Sequence, residues 1–292
     1  MDSIAIVGAG NAGITIGACL KEKGYNVAGV VSRTRESAHR GAEIIGTRAY
    51  TEMIPLLNQA NVIFITTPDR VIAEVCKTMA QSGGIGEGDL VIHTSGSHTS
   101  EILSPAGDKG ACVLSVHPLQ TIPGPEAGIR NLPGSYFAVE GDERGLPFVR
   151  KMVADLQGYL VEIPTEMKPL YHASACVVSN YFVAIVRLGL AMMEDIGVDR
   201  DKALTALLPL IQGTMKNIEK VGVPQGLTGP IARGDYSTIG DHLKVMEKRM
   251  PEIAPLYGEL GKYTVKVALE KGTINREQSQ QLINVLEGKE ND

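Results

Sequence analysis

Short apolar runs recur along the first half of the chain, separated by longer stretches of helical period. The runs Ile4 to Val7, Asn26 to Val31, Val62 to Thr66, Asp89 to His93, Val113 to Val116, Tyr136 to Val139 and Tyr159 to Ile163 predict strands. Between the early ones, Asn11 to Lys23, Ser37 to Ile45 and Arg70 to Gln81 predict helices. Alternation of this kind implies βαβ units and a mostly parallel sheet. The strands are apolar throughout, as expected of strands covered on both faces. After Pro164 the pattern turns wholly helical, over Pro169 to Ile196, Arg200 to Val221, Thr238 to Met250, Pro251 to Lys271 and Asn275 to Leu286. The expected fold is α/β: a Rossmann-type, mostly parallel sheet in a domain over 1–164, then an all-α domain over 165–292.

Composition narrows the function classes. A net charge of −5 with scattered basic residues gives no phosphate-backbone footprint, so no nucleic-acid partner is expected. The apolar stretches are interrupted by polar residues, so no membrane partner is expected either. Cys19, Cys76, Cys112 and Cys176 are far apart, and no Cys-x-x-Cys pair or zinc-ligand spacing occurs, so free thiols and no metal are expected. No basic segment precedes an apolar run at the N-terminus, which points to a cytoplasmic protein.

The strongest local signal is Gly8-Ala9-Gly10-Asn11-Ala12-Gly13, directly after a strand and directly before a helix. Gly8 permits the tight turn, Gly10 lets the backbone approach a pyrophosphate, and Gly13 lets helix and strand pack closely. The free N–H groups of the helix start favour phosphate, and Asn11 and Ala12 lie in that first turn. At the end of the second run, an NAD site would carry a carboxylate for the ribose 2′-OH; Ser32-Arg33-Thr34 stands there instead and suits a 2′-phosphate. The expected cofactor is therefore NADP, although Arg33 also reads as a surface cation. Thr66-Thr67-Pro68 and Thr94-Ser95-Gly96 follow two further strands, where open α/β sheets bind ligands. They are cofactor-lining candidates, and equally ordinary turn residues.

His117 and Gln120 leave the end of another strand as substrate-contact candidates. In the long helix after Pro169, Lys168, His172 and Ser179 fall on one stripe at about 100° per residue, with Asn180 at its edge. Polar groups on a buried helix face need partners, and Lys168, His172 and Asn180 are the candidate catalytic set. Lys168 also reads as a solvated first-turn residue. Thr228, Arg233 and Asp235 lie in a loop-like stretch, where Arg233 suits a carboxylate or pairs with Asp235 at the surface. With Ser179, they complete the substrate candidates.

Taken in order, Gly8 to Gly13, His93 to Gly96, His117 to Gln120, Tyr171-His172 through Ser179-Asn180, and Thr228 to Asp235 resemble a family of NADP-dependent oxidoreductases. These join a Rossmann-like domain to a helical domain of formerly unknown function. The plan is similar to 6-phosphogluconate dehydrogenase, pyrroline-5-carboxylate reductase and ketopantoate reductase. The resemblance covers nearly the whole chain. It implies a small carboxylate substrate held between the domains, a homodimer built through the helical domains, and, in some members, ketopantoate reduction. In the related dehydrogenases a Lys and an Asn of the first long C-terminal helix hold the reacting carbonyl. Lys168 and Asn180 are the nearest equivalents here, at a different spacing, with His172 between them as a further acid. The expected activity is hydride transfer to a small keto acid. Imine reduction and a non-catalytic NADP-binding redox sensor are the alternatives.

Overall fold

The computed structural model describes residues 2–289. In chain order the elements are β1 (Ser3–Val7), α1 (Asn11–Glu22), β2 (Asn26–Val31), α2 (Arg35–Ile45), β3 (Ala49–Tyr50), α3 (Ile54–Leu57), β4 (Val62–Ile65), α4 (Ile72–Gln81) and β5 (Leu90–His93). Then come α5 (Ser104–Gly107), β6 (Cys112–Pro118), α6 (Pro125–Asn131), β7 (Tyr136–Gly141), α7 (Leu146–Asp155) and β8 (Tyr159–Glu162). The helical part comprises α8 (Lys168–Val178), α9 (Asn180–Asp195), α10 (Arg200–Val221), α11 (Val223–Gly226), α12 (Tyr236–Arg249), α13 (Ala254–Lys271) and α14 (Arg276–Leu286).

The strands form one sheet in the order β3-β2-β1-β4-β5-β6-β7-β8. Every pair is parallel except β6 with β7. Chain direction across the sheet reverses between β1 and β4, the position where doubly wound folds open a crevice at the strand ends. Alternate residues of β1 and β4 serve two cores. Ile4, Ile6 and Phe64 join α1 and α7 on one face, whereas Ala5, Val7, Ile63 and Ile65 join α3, α4 and α5 on the other. This two-sided burial is why the strands read as unbroken apolar runs. The expected α/β fold is present, with all seven expected strands; β3, only two residues long, carries too little pattern to be read.

Two compact units divide the chain, residues 1–182 and 183–292. The secondary structure becomes helical after Pro164, as expected, but the sheet-bearing unit also takes in α8 and the start of α9. The second unit has its own core, where Ile239 and Leu243 of α12 meet Val265 of α13 and Leu282 of α14.

Two helical expectations need correction. The single helix expected over Pro169 to Ile196 is interrupted at Ser179, where the backbone stays right-handed but distorts to φ −113° and ψ −71° between α8 and α9. Nor do polar residues keep the apolar stretches below membrane-spanning length. Thr165–Asp195 is long and apolar enough, with a mean hydropathy of 1.7, to cross a membrane by length and composition. Its charged residues, Glu166, Lys168, Arg187, Glu194 and Asp195, stand toward its ends and leave an 18-residue window with at most two of them.

Candidate active site

The glycine turn sits at the C-terminal end of β1, beside the reversal point. Gly8 has φ +116°, and a Cβ there would lie 2.8 Å from the Thr66 carbonyl carbon and the Thr67 nitrogen. Only glycine fits that close approach. A Cβ on Gly13 would collide with the Gly8 carbonyl and the Thr66 hydroxyl. Gly10, by contrast, has open space on its Cβ side, with only the Thr66 carbonyl oxygen at 3.7 Å. It caps α1 in extended geometry, with no side chain closing the helix start and no acidic residue in its first turn. The free N–H groups are thus left for an anion. Asn11 ties this turn to the loop after β6, donating to the Pro123 carbonyl at 3.0 Å, and Ala12 is half-buried behind it.

The other cofactor candidates divide by what their polar atoms already do. The Thr66 hydroxyl donates to the Gly8 carbonyl at 2.8 Å, so it shapes the turn rather than facing a ribose. The Thr67 hydroxyl is buried and has no partner among the described residues. An orphaned hydroxyl beside an uncapped helix start is the kind of group a bound dinucleotide satisfies. Pro68 leads from β4 into a 3-10 turn at Asp69–Val71. Ser32 is half-buried and Arg33 exposed just past β2, and Thr34 accepts from the Ser37 N–H at 3.3 Å to cap α2. Thr94 is half-buried after β5, and the Ser95 hydroxyl donates to Asp69 Oδ2 at 2.8 Å, joined there by Ser97 at 3.0 Å. The loops after β4 and β5 are thereby locked together.

Behind these loops runs a buried polar row. His93 of β5 pairs in register with Ser115 of β6, which pairs with Glu140 of β7. Lys168 starts α8 and is fully buried. Its ammonium donates to the Ser115 hydroxyl and lies 3.8 Å from Glu140 Oε1. Glu140 also accepts from the Ser100 N–H and hydroxyl, each at 2.7 Å, and from the Thr165 hydroxyl at 3.0 Å. One carboxylate therefore ties the loop after β5, strand β7 and the start of α8. Burial pulls the Lys168 pKa down to about 8, against the opposing pull of Glu140.

One turn into α8 stand Tyr171 and His172, facing His117 of β6. Tyr171 Oη lies 2.9 Å from His117 Nδ1, and the His117 and His172 rings meet edge-on at 6.1 Å. Gly96 closes the corner: a Cβ there would come within 2.5 Å of His172 Cδ2 and 2.9 Å of His117 Nε2. Burial and the nearby Lys168 charge hold the His117 pKa down at about 4, so the ring is neutral. Cys176 lies 3.8 Å from His172 Nδ1, one helical turn on.

The structure thus brings Lys168, His172, His117, Ser95 and Gly96 together, but not Asn180. Asn180 is exposed and twelve residues beyond Lys168, about 18 Å along a helix axis. The two cannot hold one oxygen. The Lys168 ammonium is committed to the buried row, which corrects its reading as a solvated or substrate-facing residue. Ser179 marks the break between α8 and α9. Gln120 donates to the Asn131 carbonyl at 3.1 Å and to Ser135 Oγ at 3.2 Å, holding its own loop. In the second unit, Thr228 and Arg233 are exposed. Asp235 caps α12 by accepting from the Thr238 N–H at 3.1 Å and its hydroxyl at 2.7 Å, so that carboxylate is occupied.

Sequence reasoning passed over Ser115 and Glu140, and gave no role to Asp69 or Tyr171. A carboxylate in the apolar run Tyr136 to Val139-Glu140, and a serine inside Val113 to Val116, were the available signals. No cluster of metal-ligating side chains occurs among the described residues.

Two family descriptions match the chain: Rossmann-like domain over residues 2–118, and Domain of unknown function (DUF2520) over residues 135–264. No curated protein matches the sequence. Among solved structures, protein TM1727 from Thermotoga maritima is 31% identical over 92% of this chain and 99% of its own, with a TM-score of 0.73. BF3122 from Bacteroides fragilis, a proposed NADP oxidoreductase, is 22% identical over 91% of this chain and 98% of its own, with a TM-score of 0.72. A reductive aminase from Aspergillus terreus, solved with NADPH and ethyl-5-oxohexanoate, is 15% identical over 99% of this chain and 93% of its own, with a TM-score of 0.62. The last two likenesses are of fold.

Proposed function

From the premise that this chain belongs to the family joining a Rossmann-like domain to a DUF2520 domain, we propose that it is an NADPH-dependent reductase of a small keto acid, with ketopantoate as the first substrate to test. The observation that carries this reading is the uncapped glycine turn at the reversal point of the sheet, with a neutral histidine corner at the strand ends beside it. Gly8, Gly10 and the first turn of α1 would hold the pyrophosphate, Thr67 would satisfy its hydroxyl on the cofactor, and Ser32 and Arg33 would take the 2′-phosphate. Bound NADPH supplies hydride. His117 and His172 would orient the carbonyl, and Lys168 with Glu140 would hold α8 in place against them. The fold likeness to NADP-linked proteins supports this reading.

The test is NADPH oxidation with a panel of 2-keto acids. Absence of turnover on all of them, with NADPH bound, would sink the proposal. Imine reduction is the second reading, supported by likeness to the reductive aminase. It is also supported by Asp69, a carboxylate whose field reaches His117 and Lys168 and which suits a cationic substrate. An iminium already carries its charge and needs no strong acid. The imine reading therefore gains if His172→Ala leaves the rate intact.

Arg33 is exposed and pairs with no carboxylate among the described residues. A charge-assisted contact to a 2′-phosphate contributes about 1.5–3 kcal/mol. Arg33→Ala should therefore weaken NADPH about 10- to 100-fold and leave NADH nearly unchanged in fluorescence titrations. Equal losses for both coenzymes would remove the 2′-phosphate role.

The reading includes a homodimer. Val177, Val178, Tyr181 and Val183 along α8 and α9, and Leu208 and Leu210 on α10, are exposed. Exposed apolar side chains in such numbers suit an interface, and in this reading a second copy covers them. Light scattering should give twice 31.2 kDa; a monomer, or partition into lipid vesicles, would refute it.

A further inference from the structure

The tyrosine packed against His117 decides where that histidine carries its hydrogen. Tyr171 is half-buried, and His117 Nδ1, at 2.9 Å, is the only acceptor its phenol O–H reaches among the described residues. Two arrangements fit the distance. If Nδ1 carries the proton and donates to the phenol oxygen, the Tyr171 O–H has no partner in the protein. If the phenol donates, Nδ1 accepts, the hydroxyl is satisfied within the protein, and the ring hydrogen sits on Nε2. That nitrogen makes no hydrogen bond among the described residues and stands over Gly96. The missing Cβ of Gly96 leaves room for this ring and for His172.

We infer that Tyr171 holds His117 in its Nε2–H tautomer, and that this N–H is the donor that polarises the substrate's C=O as hydride arrives. His117 is then a catalytic residue and Tyr171 a positioning residue. The inference rests on the reductase reading. Hydride adds to the carbonyl carbon, and the C=O π pair moves onto oxygen. The oxygen, held by Nε2–H, then takes a proton from water and releases hydroxide. The imidazole keeps its own hydrogen throughout. Burial and the Lys168 charge keep the ring neutral down to about pH 4, and a neutral imidazole can act as such an electrophile. The ring on β6 thereby takes the donor role expected of Asn180, and water takes the acid role expected of Lys168 or His172.

Long-range 1H–15N spectra of the histidine-labelled full chain, without coenzyme, test the tautomer directly. His117 should show an unprotonated Nδ1 and a protonated Nε2, and Tyr171→Phe should lose that preference. In steady-state assays Tyr171→Phe should lower kcat about 10-fold with KM little changed. His117→Ala should lose about 100-fold, and His117→Gln, which keeps an N–H donor, should lose less. A protonated Nδ1 in the wild-type protein overturns the inference. So does a Tyr171→Phe enzyme with wild-type kcat. The spectra decide the tautomer with or without a known substrate. Failure of every keto acid and imine to turn over, with NADPH bound, counts instead against the reductase reading, and with it the catalytic role of His117.

Discussion

Replacing Lys168 by methionine should destabilise the protein by about 3 kcal/mol or more, while leaving NADPH affinity nearly unchanged. The ammonium is fully buried, with Ser115 and Glu140 as its partners. Removing it leaves a buried carboxylate facing a hydrocarbon, and breaking a buried pair from one side costs about 3–5 kcal/mol. The loss should fall near the lower end. Glu140 would keep three donors, the Ser100 N–H, the Ser100 hydroxyl and the Thr165 hydroxyl. The melting temperature should drop by on the order of 10 °C. Adding Glu140→Gln should recover much of that, because neutralising both partners removes the buried charge altogether.

The sign of the Lys168 titration agrees with this picture. Its pKa in the fold, about 8, lies below the usual 10.5. The unfolded chain therefore binds the extra proton between those values, and this group makes stability rise as pH climbs from 8 to 10.5. Burying the charge costs more than the pair returns. The reason for keeping it is geometric: Glu140 and Lys168 fix the start of α8, which sets Tyr171 and His172 against His117. Thermal melts of the two single variants and the double variant give the coupling directly. Additive losses would show that Lys168 and Glu140 do not act as a unit.

The contrast between what the sequence revealed and what it hid has a physical basis. The central strands were legible because burial on both faces writes an unbroken apolar run of four to six residues, whereas the edge strand β8 is largely exposed and reads as a strand from its β-favouring residues alone. The glycine turn was legible because its chemistry is local: three glycines, one strand end and one helix start lie within a dozen residues. The polar row was not, since His93, Ser115, Glu140 and Lys168 come from four separate segments and meet only through strand register. Each alone looks like a single polar residue in an apolar run. The error over Asn180 was of another kind. Helical periodicity puts two residues on one side of a helix, but the rise of about 1.5 Å per residue also separates them along the axis, and the stripe was read without that separation. Lys168 and Asn180 lie near one stripe and about three turns apart. Tyr171 stood in the family motif without a role of its own, because only the 2.9 Å contact to His117 gives it one.

Mild acid should weaken the fold before any carboxylate titrates, and His93 should be the main cause. This ring is fully buried between β4 and β6. Its Nδ1 accepts the Ser95 N–H at 3.1 Å, which puts the ring hydrogen on Nε2, donating to the Thr99 carbonyl at 3.0 Å. A second proton would have to sit on Nδ1, pointing at an N–H donor, with no water to solvate the charge. Burial accordingly lowers the pKa from 6.5 to about 4. In the unfolded chain the same group protonates near 6.5. Between those values the unfolded state binds more protons, so stability falls as pH falls through that window and levels off below about 4. From pH 6.5 to 5, above the range where exposed carboxylates protonate, the loss from His93 should be about 1.5 kcal/mol. His117, also held at about 4 but only partly buried, should add less. Urea unfolding of the wild-type protein and of His93→Gln at pH 6.5 and pH 5 checks this. The variant should be less stable at pH 6.5, having lost a fitted pair of hydrogen bonds, yet lose distinctly less between the two pH values. Equal losses in both proteins would mean that His93 is already protonated in the fold. In that case the Ser95 N–H could not donate to it, and the loop that carries Ser95 and Gly96 to the histidine corner would have to be held by the Asp69 carboxylate and the Ser115 hydroxyl.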